Sequence, residues 1–67
     1  MSWFGLFGPH IHKVNEDTWV IRKRTFIGYQ YLDRNGDYWW ITQKYIIKYC
    51  LIHDYAVAQR NLSLAKL

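Results

Sequence analysis

Three groups of residues in this chain have types and spacings that could do chemistry. The first lies in YLDRNGDYWW (Tyr31 to Trp40), where Asp33, Asn35 and Asp37 surround Gly36. Oxygen ligands at alternate positions are what a hard cation such as calcium uses. The calcium-loop pattern, however, puts its glycine after the third ligand and closes on a distant glutamate. Here Gly36 precedes Asp37, and no glutamate follows. Nor is the pair suited to acid–base catalysis, which needs two environments that push the pKa values apart; a solvated hairpin tip supplies one. Asp at the first and Gly at the fourth position of DRNG instead suit a type I turn with a left-handed Gly36.

The second group is histidine and cysteine. His10 and His12 lie two apart, so on a strand they share a face and could begin a zinc site completed by His53 or Cys50. No Cys-x-x-Cys or His-x-x-x-His spacing accompanies them, so surface histidines are expected. Cys50 and His53 would meet on a helix, but no third group or oxyanion site joins them. Cys50 is expected to be a buried structural cysteine. No catalytic residue, metal or cofactor is expected.

The third group is Arg22-Lys23-Arg24 together with the aromatic residues Tyr38 and Trp40. On a strand, Trp19 and Ile21 point one way with Lys23, and Arg22 and Arg24 the other. If Trp19 and Ile21 face the core, the arginines face out. Should Tyr38 and Trp40 share that outer face, the surface is both basic and aromatic. Such a surface suits a protein interface, where Trp, Tyr and Arg dominate hot spots. It also suits single-stranded nucleic acid, through phosphate contacts and base stacking. A solvated edge, where charges deter aggregation, is the plain alternative.

These residues need elements to position them. HIHKV (10–14) alternates as a short strand, NED (15–17) is turn chemistry, and TWVIRKR (18–24) is β-branched and aromatic. FIGYQYLD and DYWWI are expected to pair as a hairpin, Tyr31 opposite Trp39 and Tyr29 opposite Ile41, with Leu32, Tyr38 and Trp40 on the other face. KYIIKYCLI (44–52) fits either state: as a strand it puts Tyr45, Ile47, Tyr49 and Leu51 on one side, and its composition leans that way. The alternative starts a helix near Thr42. Asp54 can cap a helix in which Tyr55, Ala58, Leu62 and Ala65 recur at helical spacing. The expected fold is α+β, an antiparallel meander of three to five strands with one C-terminal helix packed on it. A single domain would comprise an apolar arm (1–9), a mainly β stretch (10–52) and a helix (54–66).

Composition narrows the function. A chain of 67 residues with one cysteine has no intramolecular disulfide, and a cytoplasmic or other reducing compartment fits. Four Trp, six Tyr and three Phe are more rings than so small a core can hide, so some are expected at a contact surface. No apolar run approaches the ~20 residues of a membrane-spanning helix. In MSWFGLFGP, Trp3, Phe4, Leu6 and Phe7 either fold back on the domain or form a sticky arm for membrane or protein. The net charge of +4 is small for a dedicated nucleic-acid binder, and the aromatic excess is the larger anomaly.

In size and texture the chain resembles the small stand-alone proteins that bacteriophages encode to bind and redirect host machinery; no motif carries that likeness. The expected function is non-enzymatic: a binding module that docks Arg22, Arg24, Tyr38 and Trp40 on a larger protein, as a modulator or inhibitor. The alternative is a single-stranded DNA or RNA binder using the same four residues. A second copy of the chain is also admissible as a partner.

Overall fold

β-Branched and aromatic residues dominate positions 10–32, and there the chain forms three strands: β1 (His10–Asn15), β2 (Thr18–Thr25) and β3 (Gly28–Leu32). A two-residue β4 (Trp39–Trp40) and two helices, α1 (Gln43–Tyr49) and α2 (Tyr55–Ala65), complete the order. The computed structural model describes residues 8–66, so the expectations for Trp3, Phe4, Leu6 and Phe7 lie outside the described residues. The four strands form one antiparallel sheet in the order β1-β2-β3-β4, and α2 packs on it. The expected α+β meander with a C-terminal helix is the fold observed.

Cross-strand register assigns the two faces. Ile11 pairs with Ile21, Ile21 with Leu32, and Leu32 with Trp39, so one face is an apolar row. Ile21 and Leu32, together with Ile52 and Ala58, form the buried core, with Ile11, Trp19, Trp39, Val57 and Leu62 packed around them. The other face carries His10, Arg22, Tyr31 and Trp40 in the next row. Beyond Leu32, β3 turns away, and Ile52 takes the vacated place beside β2. Its N–H and C=O both bond Trp19, at 2.8 Å each.

The C-terminal helix follows its sequence signals. The Asp54 carboxylate accepts from Ala56 N at 2.9 Å and caps α2. Ala58 is fully buried, Leu62 and Ala65 are half-buried, and the Tyr55 ring tilts against Trp19 at 5.4 Å.

Three expectations are corrected. The stretch from 43 to 49 is helical rather than extended, as in the alternative that begins near Thr42. Composition favoured a strand, but tertiary contacts decide: Arg34 N donates to Tyr49 O at 2.8 Å and Arg34 Nη2 to Lys48 O at 2.9 Å, satisfying carbonyls that a helix end leaves orphaned.

The hairpin register is shifted by one residue. Tyr31 pairs with Trp40 and Leu32 with Trp39, so Trp39 joins the core face and Trp40 the opposite one. The type I turn itself is present, with Gly36 N donating to Asp33 O at 3.0 Å and Gly36 at φ +81°. Asp37 N, however, donates to the Asp33 carboxylate at 3.0 Å, and Asp33 N donates to Tyr38 O. With the side chain capturing that N–H, the loop takes one more residue and the ladder closes one step later.

Phe26 and Ile27, expected within a strand, instead form the β2–β3 turn. Gly28 at φ +140° permits it, and the Thr25 hydroxyl donates to Gly28 O at 3.0 Å.

Candidate binding surface

The sheet face opposite α2 carries a row of polar and aromatic side chains. Arg22 sits at its centre, level with His10 and Tyr31. Its Nε donates to His10 Nε2 at 3.3 Å, and its guanidinium lies 4.1 Å from the centre of the Tyr29 ring. Tyr29 in turn meets His10 edge-on at 6.4 Å and Tyr31 at 6.5 Å. Arg24, exposed, pairs with Tyr29 across the strands. His12 projects from the same face, and burial, then the Arg22 and His10 charges, lower its pKa from the ordinary histidine value.

Trp40 ends the row one strand beyond Tyr31. Its ring stacks on Tyr49 at 5.3 Å and meets Tyr45 at 5.1 Å, and the two tyrosines lie 6.0 Å apart. This cluster fastens α1 to the sheet. Its outer surface is Tyr45 and Tyr49, with the ammonium of Lys48 5.3 Å above Tyr49. The indole Nε1–H of Trp40 is buried and has no hydrogen-bond acceptor among the described residues. Beside the cluster runs an apolar groove of about 440 Å³, lined by Val14, Val20, Ile41, Ile46, Ile47 and Leu51 among others.

Of the four expected site residues, the register brings Arg22 and Trp40 into one row and places Arg24 on the same face. Tyr38 lies outside the strands, two-thirds exposed, in the loop that closes the hairpin. Sequence reasoning missed Tyr29, Tyr45 and Tyr49. The i,i+4 spacing of Tyr45 and Tyr49, matched by Lys44 and Lys48, is a signal that only a helical assignment makes visible.

The other candidate chemistries are occupied structurally. The carboxylate of Asp33 is not solvated as the sequence suggested: the residue is buried, and one of its oxygens accepts from Asn35 N at 3.1 Å and Asp37 N at 3.0 Å. Cys50 is fully buried with its Sγ donating to Tyr31 O at 3.6 Å; burial, then Asp33, push its pKa up to about 11. His53 does not share a helix with it, and its Nδ1 lies 3.2 Å from the Thr18 hydroxyl. Among the described residues no cluster of three or more His, Cys, Asp or Glu could hold a metal ion, and no helix is long and apolar enough to cross a membrane.

No protein-family model, curated protein or solved structure matches this chain.

Proposed function

We propose that the chain is a non-enzymatic binding module that docks its basic and aromatic sheet face on a larger protein, as a modulator or inhibitor of that partner. The observation that carries this reading is the company the cations keep. Arg22 stacks on Tyr29, the Trp40–Tyr45–Tyr49 cluster begins two strands from Arg22 and one beyond Tyr29, and Ile41 and Ile47 are 67% and 57% exposed beside them. Aliphatic side chains offer nothing to a phosphate backbone, whereas a patch mixing Arg, Tyr and exposed aliphatics is what a protein interface uses. The rings also stack on one another, which favours a preordered surface over separate platforms for bases. A free, buried thiol is in keeping with a cytoplasmic or other reducing site of action.

Single-stranded nucleic acid is the second reading, favoured by the row that sets Arg22 and Trp40 on one face with Arg24 nearby. Two measurements separate them. Affinity capture from the native source is expected to retain a protein with the wild type and to lose it with Ile47→Asp or Arg24→Glu. Anisotropy of a labelled single-stranded oligonucleotide is expected to show binding that vanishes near physiological salt. Sub-micromolar oligonucleotide binding that persists at that salt, and is lost in the Arg22→Ala/Arg24→Ala variant, would overturn the protein reading.

A further inference from the structure

The sheet is polarised along its strands, in a direction different from the face just described. From Thr18 to Leu32 the chain contains Arg22, Lys23 and Arg24 and no carboxylate. All five acids lie toward the other end. Glu16 and Asp17 form the β1–β2 turn, Asp33 and Asp37 lie in the β3–β4 loop, and Asp54 follows the Ile52–Trp19 bridge. The cationic end terminates in the β2–β3 turn, whose two residues are Phe26, 97% exposed, and Ile27, 95% exposed. Register adds to this end. Ile41 follows Trp40, which pairs with Tyr31, and so falls level with Gln30 and Lys23; Ile27, Tyr29 and Ile41 border one shallow hollow.

We propose that this end of the molecule docks on an anionic lipid bilayer, with Phe26 and Ile27 entering the headgroup–acyl boundary, Arg24 resting over acidic headgroups, and Arg22 and Lys23 adding to the positive field behind it. Two observations select a bilayer over other occupants. The apolar residues form a projecting tip rather than a cleft, which suits a deformable apolar medium that flows around them. Arg24, exposed, stands two residues behind the tip, where headgroup charge lies, and Lys23 and Arg22 follow further back, stacked on Trp39 and Tyr29. The carboxylates that such a surface would repel are at the far end. Each cation brought to the surface is worth about fivefold in affinity, so the cations and the tip must act together to hold so small a protein.

The test uses the whole chain and vesicles of phosphatidylcholine with or without phosphatidylserine. Cys50 is buried, so Ile27→Cys supplies an accessible thiol at the tip for an environment-sensitive fluorophore. We expect cosedimentation and a blue shift of the label with phosphatidylserine vesicles, both weakening as salt is added. Phosphatidylcholine alone should give neither. Phe26→Ser/Ile27→Ser is expected to reduce association about tenfold or more, and Arg24→Glu to reduce it at least fivefold. Both changes fall at exposed positions, and a thermal melt confirms that each variant is folded. Equal binding to both vesicle types, or binding that the tip variant leaves unchanged, would overturn the proposal. So would binding without a blue shift, which leaves the tip in water. If neither vesicle binds, the tip is left to a protein surface and the proposal fails.

Discussion

The side-chain amide of Asn61, buried on α2, donates from Nδ2 to the main-chain carbonyl of Arg34 at 2.8 Å. Arg34 meanwhile bonds the end of α1 through its own N–H and guanidinium. One hairpin residue therefore ties both helices to the sheet. This tip, expected from the sequence to be a turn rather than an ion or catalytic site, is also a structural junction.

Removing that bond should be costly because the Arg34 carbonyl loses its partner. Asn61→Ala is expected to lower the unfolding free energy by about 1–3 kcal/mol, and Asn61→Asp by more, since a carboxylate cannot donate. Urea denaturation measures both; an unchanged midpoint in Asn61→Asp would refute the role.

The Asp33 carboxylate holds two backbone N–H groups, so Asp33→Ala is expected to cost about 2–4 kcal/mol, while Asp33→Asn, which keeps an acceptor oxygen, should cost less. Gly36→Val is expected to cost about 1–3 kcal/mol, because φ +81° is strained for a β-branched residue; Asn35→Ala should be mild. Thermal melts rank the four variants. Adding calcium should leave the wild-type melting temperature where it is, and a clear rise would defeat the turn reading.

Cys50 makes stability depend on alkaline pH. Its pKa is 9.0 as an unperturbed thiol and about 11 in the fold. The raised value means the folded state keeps a proton that the unfolded state releases. Its contribution is complete below pH 9.0 and is lost as pH rises toward about 11, by on the order of 2 kcal/mol. Tyrosines and lysines titrate nearby, so the measurement is the difference in alkaline slope between wild type and Cys50→Ala. Identical slopes would show the thiol is not held protonated.

Trp40 is expected to govern α1 more than the sheet. Trp40→Ala removes the ring on which Tyr45 and Tyr49 rest and should cost about 2–4 kcal/mol, less than a fully buried tryptophan would. Hydrogen exchange should accelerate most across residues 43–49, while the amides of β2 retain the higher protection. Uniform acceleration of both segments would show that α1 and the sheet open as one unit.

Much of the fold was written locally in the sequence. The alternation in β2, the Asp54 cap, the helical spacing of Ala58, Leu62 and Ala65, and the DRNG turn all depend on neighbours within a few positions, so they could be inferred from residue type and spacing alone. The outward placement of Arg22 and Arg24 followed from the same alternation. What only the tertiary structure decided depends on distant partners. The hairpin register moved one residue because the Asp33 carboxylate, rather than its carbonyl, captured Asp37 N, and that shift sent Trp39 to the core and Trp40 to the opposite face. Residues 43–49 became a helix against their β-branched composition because Arg34 and the Trp40 ring supply contacts a strand there would lack. The burial of Asn61, and the separation of Arg22, Lys23 and Arg24 from every carboxylate, exist only once that register is set, because each compares residues far apart in the chain.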